Sequence, residues 1–180
     1  MSDLAGFWRM AWEALAAGVA DGGHPMRIVS LATLGPEGPE VRSMGLRLAD
    51  AERAVVEVHT DLATPKVAQI AADPRVALLA WHPGRQVQVR LSGRASVRAG
   101  TEVEPLWQAI PPEGRVNYGT RPDPGLPIPE ALAYEKPPVR ERFAVLSLRV
   151  EAVDIVDLEG RHRRARYVRA DGFAGTWVAP

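Results

Sequence analysis

The amino-acid sequence predicts a mainly β fold, in which an antiparallel sheet closes on itself or forms a sandwich and a few helices flank it. Three observations lead to this prediction: many short β-rich runs, tight turn signals between them, and only a few segments with helical periodicity. Strands and helices do not alternate regularly, which argues against a Rossmann-type sheet.

The first predicted element is an amphipathic helix over residues 3–20. Apolar residues recur there at helical spacing on one stripe, namely Leu4, Trp8, Ala11, Trp12 and Leu15. Asp21, Gly22 and Gly23 end the helix. We therefore expect an N-terminal helical segment, residues 1–22, within one domain spanning residues 1–180.

The next elements are strands. The turn sequence Gly35-Pro36-Glu37-Gly38 joins the runs 27–33 and 41–48 into a predicted hairpin, and 54–60 is a third strand. Further strands are predicted at 76–81, 86–97, 143–150, 152–158, 163–169 and 173–178.

Two more helices interrupt the strands. Thr64 is a candidate N-cap and Pro65 fits the first helical position, so we predict a helix over 66–72 that Pro74 closes. A second candidate helix covers 101–110. Residues 111–138 are rich in Pro and Gly and predict a long loop with one helical turn. Such a loop is either functional or mobile, or it covers a sheet edge, and the sequence leaves both interpretations open.

Composition narrows the classes of function. The 180 residues carry 22 Lys plus Arg against 22 Asp plus Glu, and this neutral balance argues against non-specific nucleic-acid binding. The absence of cysteine excludes disulfides, thiolate nucleophiles and Cys-based zinc sites. No apolar run predicts a membrane span and no signal peptide is recognised, so we expect a cytoplasmic protein.

The stretch from His59 to Lys66 predicts an anion site. It combines a strand end, the hydroxyls of Thr60 and Thr64, a helix start and the positive charge of Lys66, which together could hold a phosphate monoester. The alternative is an ordinary capped helix with a surface lysine.

The hairpin strand before it carries two arginines. Arg42 alternates with Met44 and Leu46 on an apolar face and therefore needs an anionic partner or a route to solvent. Arg47 lies on the other face with Ser43 and Gly45, whose small side chains would let a flat ligand approach the backbone. Surface ion pairs are the alternative for each arginine.

Two further segments offer polar groups to a ligand. Gln86 follows the turn at Pro83-Gly84 and could hydrogen-bond the edge of a heterocycle, or it belongs to the polar face of a hairpin. The basic run from Arg161 to Arg166 is either a solvated strand face or a source of arginines for a phosphate or a ring edge. The four histidines lack the spacing of metal ligands, and nucleophile-elbow and Walker patterns are absent.

Taken in order, these segments resemble the pyridoxamine 5'-phosphate oxidase family of split β-barrels that bind flavin mononucleotide (FMN). The matching stretches are 42–47, 59–60, 64–66, 73–79, 85–87, 162–164 and 177–180. The resemblance implies an FMN-binding split barrel that forms a homodimer with FMN at the interface. It implies cofactor binding by Arg42, Ser43, Met44, Gly45, Leu46, Arg47, His59, Thr60, Thr64, Lys66, Gln86 and Arg164, the last from the partner subunit.

Several positions depart from the pattern of the oxidase. Pro65 stands where the family has an arginine, Arg47 replaces a lysine, His59 replaces a tyrosine and Gly160 replaces an arginine, while the region of Ile155 lacks a tryptophan. These departures favour a flavin-dependent oxidoreductase of unassigned substrate, with candidate substrate contacts from Arg47, Trp107, Arg115, Tyr118 and His162. The alternatives are pyridoxamine 5'-phosphate oxidation in vitamin B6 salvage and a non-catalytic module that binds flavin or haem.

Overall fold

The structure is a computed structural model that describes residues 3–180. Eight antiparallel strands form one sheet. Their bounds are β1 Ile28–Gly35, β2 Gly38–Asp50, β3 Val55–Asp61, β4 Arg75–His82, β5 Val87–Ala99, β6 Phe143–Asp157, β7 Arg163–Val168 and β8 Thr176–Val178. Four α-helices accompany them: α1 Leu4–Ala20, α2 Pro65–Ala72, α3 Glu104–Gln108 and α4 Pro112–Arg115.

Six of the strands close into a barrel, which confirms the mainly β prediction. The order is β3-β2-β1-β4-β5-β6, and pairing of β3 with β6 closes the ring. The amino-terminal half of β6 pairs with β3, and its carboxyl-terminal half pairs with β7 on the same edge. The hairpin β7–β8 therefore extends the sheet beyond the barrel.

The long strand β6 corrects the prediction of two separate strands around Glu151. Ser92 pairs with Ala152 and Gly93 pairs with Val150, so Glu151 forms a bulge in a continuous strand. At this bulge the backbones approach closely: a Cβ on Gly93 would lie 2.1 Å from the Arg149 carbonyl oxygen. Glycine at position 93 is thus what allows β5 to follow β6 through the bend.

Helix α1 packs its predicted apolar stripe against the barrel. Ala11, Trp12 and Leu15 are buried in the main core, and the Tyr167 hydroxyl of β7 donates to the Leu4 carbonyl at 2.8 Å. Asp3 caps the helix by accepting the Ala5 N–H. No helix within residues 3–180 is long and apolar enough to cross a membrane.

The segment after β5 covers the outer surface of β3 and β6. The predicted helix 101–110 is instead a 3-10 turn, Gly100–Val103, followed by α3, in which Pro105 occupies the first turn. The predicted long loop contains one helical turn, α4. Together they bury a second apolar cluster made of Val103, Trp107, Tyr118, Phe143 and Val145. The loop therefore covers part of the sheet.

The carboxyl terminus is less extended than predicted. Residues 169–171 form a 3-10 turn, and Gly172 and Phe173 both have positive φ, so β8 begins only at Thr176. Phe173 uses this bend to pack its ring 4.9 Å from that of Trp8. Aromatic packing against α1 replaces the first half of the predicted strand, residues 173–175.

We expect Gly93→Ala to lower the free energy of unfolding by about 3 kcal/mol, because the new methyl group meets backbone atoms that cannot move without breaking the β5–β6 pairing. Urea unfolding followed by circular dichroism measures the loss. Gly22→Ala is the matched control, since nothing lies within 4 Å of a Cβ at that position. A Gly93→Ala variant as stable as Gly22→Ala would contradict this account of the bulge.

Candidate functional site

Strands β2 and β3 part halfway along their length. They pair from Asp50↔Val55 to Leu46↔Val58, with an irregular register at Arg47. Beyond that point β2 continues along β1, whereas residues 59–61 of β3 continue along β6. The result is a cleft in the barrel wall, with residues 42–45 on one lip and 59–61 on the other.

The β2 lip presents two faces because side chains alternate along a strand. Arg42 and Met44 are half-buried, and Leu46 is fully buried in the core. Ser43 and Gly45 lie on the outer face, in register with Ser30 and Ile28 of β1. The structure thus places the predicted cofactor segment along one edge of the cleft, with small residues outside and Arg42 inside.

The opposite lip holds the predicted anion site. The Lys66 ammonium donates to the Thr60 hydroxyl at 3.2 Å, and the hydroxyls of Thr60 and Thr64 are also 3.2 Å apart. Thr64 precedes α2 as predicted, but its hydroxyl donates to the Asp61 carbonyl at 2.7 Å and makes no capping hydrogen bond to the helix. Thr64 is thus the N-cap residue, as predicted, but without a side-chain capping hydrogen bond, and the three side chains come together.

Lys66 is a partly buried cation beside a second cation. Burial and the positive charge of Arg42 lower the pKa of Lys66 to about 8, and the negative charge of Asp61 opposes this shift. An anion placed between Lys66 and Arg42 would relieve both effects. The residues of the cleft consequently fit a phosphate group.

A cavity of about 230 Å³ lies beside the cleft. Its lining residues are Arg47, His59, Leu106, Ala109, Ile110, Pro111, Gly114, Asn117 and Tyr118. His59 faces this cavity because strand alternation turns it away from Thr60, and its ring packs edge-on against Phe143 at 4.9 Å. Burial, aided by the charges of Arg47 and Arg27, lowers the pKa of His59 to about 4, so this imidazole is neutral at pH 7.

Two predicted substrate residues support the cavity from behind. The Trp107 ring lies 6.1 Å from that of Tyr118, and the Arg115 guanidinium stacks on Trp107 at 5.2 Å. Arg115 also donates to the carbonyls of Ile110 and Gln108. Arg47 and Tyr118 thus line the cavity, whereas neither Trp107 nor Arg115 is among its lining residues.

The other predicted residues lie elsewhere in the chain. Gln86 is exposed in the β4–β5 turn with left-handed backbone, two strands away from β2. Arg164 on β7 forms an ion pair with Asp154 at 2.8 Å, and His162 is exposed just before that strand. Arg164 pairs with Val156 near the carboxyl end of β6, whereas residues 59–61 of β3 pair with residues 143–145 at its amino end, so Arg164 does not share the cleft within one chain.

Sequence reasoning missed Asp61, a buried carboxylate at the end of β3. Its Oδ2 accepts the Gly119 N–H at 2.7 Å, and its Oδ1 accepts the Ala63 N–H at 2.8 Å and Arg142 Nε at 2.7 Å. Three donors offset the cost of burying the charge. The available signal was an Asp two residues before Ala63 at a strand end, the position of an Asx turn.

Comparison with known proteins identifies the family. The family model described as pyridoxamine 5'-phosphate oxidase, FMN-binding domain, matches residues 8–99, about half of the chain. The curated pyridoxine/pyridoxamine 5'-phosphate oxidase of Anaeromyxobacter dehalogenans (strain 2CP-C) is 31% identical over 105 residues, 58% of this chain and 52% of that protein. The match thus spans about half the length of this relative.

Solved structures share the fold. A pyridoxamine 5'-phosphate oxidase-related, FMN-binding protein from Nostoc punctiforme PCC 73102 superposes with a TM-score of 0.77 at 25% identity, over 96% of this chain and 97% of that one. PhzG from Burkholderia lata 383 superposes with a TM-score of 0.73 at 20% identity, over 96% and 91% of the two chains. The closed six-stranded barrel, the parted strands and the sequence match agree: the chain belongs to the family of FMN-binding, pyridoxamine 5'-phosphate oxidase-like proteins.

Proposed function

We propose that this protein binds FMN in the cleft between β2 and β3 and is a flavin-dependent oxidoreductase acting on a small molecule. The observation that carries the proposal is the parting of the two strands beyond Leu46 and Val58, because predicted cofactor residues in 42–45 and at 59–60 then flank one cleft. FMN would supply the redox chemistry, and the protein would bind and orient it.

The inner end of the cleft suits the FMN phosphate. Lys66 and Arg42 supply positive charge, and the hydroxyls of Thr60 and Thr64 supply hydrogen bonds. The lowered pKa of Lys66 supports this placement, because a cation destabilised by burial gains most from a bound anion.

The outer face of the β2 lip suits the flavin ring. Ser43 and Gly45 keep this face low for a flat molecule, and the Arg47 guanidinium lies over Gly45, 3.6–3.7 Å from where a Cβ would be. The cavity next to it is lined by neutral His59, Tyr118, Asn117 and mostly apolar residues, with Arg47 as its cation and no carboxylate among its lining residues. This composition supports a small, planar substrate that carries negative charge.

Oxidation of pyridoxamine 5'-phosphate is the narrower candidate, favoured by the name of the curated relative. That substrate would need its own phosphate held beside the flavin. Arg47 is the positively charged residue that lines the cavity. Arg115 does not line it, because its guanidinium stacks on Trp107 and donates to a backbone carbonyl. We therefore propose the broader activity first.

We further propose a homodimer with FMN at its interface. Apolar side chains protrude from the outer face of β1, β2 and β4, including Ile28, Val41, Leu79 and Trp81. This patch is continuous with Ser43 and Gly45, since the registers Ile28↔Gly45 and Ser30↔Leu79 place all of them on one face. Pairing of two such faces would bury the patch and bring Arg164 of a second copy toward the cleft.

The cofactor proposal predicts that purified protein shows flavin absorbance, or acquires it when FMN is added. Lys66→Ala should weaken FMN binding about ten- to hundredfold, because a charge-assisted contact to the phosphate is lost. Riboflavin, which lacks the phosphate, should bind the variant and the parent equally. Fluorescence titration measures both affinities, with exposed Arg9→Ala as the control. Equal loss of both flavins would show that Lys66 does not face the phosphate.

The pKa of Lys66 predicts a pH dependence. Below pH 8 the lysine is charged and ready for the phosphate, while above pH 8 binding must first restore its proton. FMN affinity relative to riboflavin should therefore fall by up to about tenfold per pH unit above pH 8. Dividing the FMN affinity by the riboflavin affinity removes the effect of ionisation of the flavin ring, because both molecules contain that ring. Titrations from pH 7 to 9.5 measure it; a ratio that stays constant contradicts the assignment, and Lys66→Met should abolish the slope.

The dimer proposal predicts that Ile28→Arg yields a monomer with weakened FMN binding, because a charge would be buried in the apolar patch. Leu126→Arg is a matched control, since Ile28 and Leu126 are both 57% exposed but Leu126 lies on the loop. Sedimentation velocity at micromolar concentration gives the oligomeric state. A monomeric parent protein, or a dimeric Ile28→Arg variant, would rule out this interface.

A further inference from the structure

Arg42, the arginine assigned to the phosphate, is already engaged by its own chain. Its Nη2 donates to Glu40 Oε2 at 3.0 Å and to Gln69 Oε1 at 3.2 Å, and its Nη1 donates to the buried Thr33 hydroxyl. The Glu40 carboxylate is thus the anion that Arg42 contacts.

The Glu40 carboxylate accepts a second side-chain hydrogen bond besides the one from Arg42. Gln69 Nε2 donates to Glu40 Oε1 at 2.7 Å, and the Gln69 side chain is itself fixed, because its Oε1 accepts the Thr33 hydroxyl at 2.6 Å. Gly35 makes room for the carboxylate: a Cβ at that position would lie 2.3 Å from Glu40 Oε1. Gln69 therefore holds this carboxylate next to Arg42, in the space that Gly35 leaves for it.

The carboxylate changes the charge that an incoming phosphate meets. The charge of Arg42 acts on Lys66, and Glu40 forms an ion pair with Arg42 that offsets part of this charge. A phosphate monoester carries a charge of about −1.5 to −2 at pH 7, so it must compete with Glu40 for Arg42 and is repelled by it.

We propose that Glu40 is an internal competitor of the FMN phosphate, which limits how strongly the cleft prefers FMN over riboflavin. The inference depends on the proposed FMN site and adds to it a residue that sets cofactor specificity. Removing the charge of Glu40 frees an Arg42 donor for the phosphate and removes the repulsion.

The test compares Glu40→Gln and Glu40→Ala with the parent protein in FMN and riboflavin titrations. Both variants should bind FMN about three- to tenfold more tightly; the gain is modest because Glu40 is 48% exposed and solvent weakens its pull on Arg42. Riboflavin affinity should stay within about twofold, because riboflavin has no phosphate to compete for Arg42. Glu37→Gln, an exposed charge in the same hairpin turn, should change neither affinity.

The outcomes separate the two proposals. A parent protein that binds neither flavin overturns the FMN site and, with it, the role of Glu40. A parent that binds FMN, with Glu40→Gln folded by circular dichroism but binding FMN no more tightly, overturns the role of Glu40 alone. An equal gain for riboflavin and FMN would also overturn it, because the effect would then not involve the phosphate.

Discussion

The parting of β2 from β3 is the constraint on which the candidate site depends. Where a strand leaves its neighbour in a closed barrel, the backbone groups on that edge lose their partners and become available to water or a ligand. Here β2 stays paired with β1 on its other edge, and the end of β3 stays paired with β6, so the barrel remains closed while a cleft opens. The irregular register at Arg47 marks the point of separation.

Because side chains alternate along β3, its last residues contact both the anion site beside α2 and the cavity beneath Tyr118. Thr60 points inward, to Lys66 and the start of α2, whereas His59 points outward, to the cavity under Tyr118. Asp61 then fixes both sides. Its carboxylate holds the N–H of Gly119, next to Tyr118, and its carbonyl accepts the Thr64 hydroxyl. The wall of the cavity and the start of α2 are consequently tied to the same strand end.

The elements that could be predicted from the sequence are those specified by local patterns. The hairpin turn at residues 35–38, the start of α2 at Pro65 and the stripe on α1 all depend on neighbours within a few residues. The bulge at Glu151 could not be predicted, because its cause is the approach of Gly93 from a distant strand. Adjacency in sequence also grouped His59 with Thr60, whereas strand alternation separates their side chains. The ion pair of Arg164 with Asp154 likewise depends on a register that no local pattern encodes.

Charge is distributed differently in the two parts of the site, although the chain as a whole is neutral. At the proposed phosphate site, Lys66 and Arg42 lie beside the cleft and the chain supplies its own carboxylate, Glu40, which Gln69 holds over Gly35. The residues that line the cavity include Arg47 and neutral His59 but no carboxylate. A guanidinium in a partly enclosed apolar setting is stabilised by an anion. A ligand anion is therefore favoured in both parts, but at the proposed phosphate site it would compete with a carboxylate that the protein already holds there.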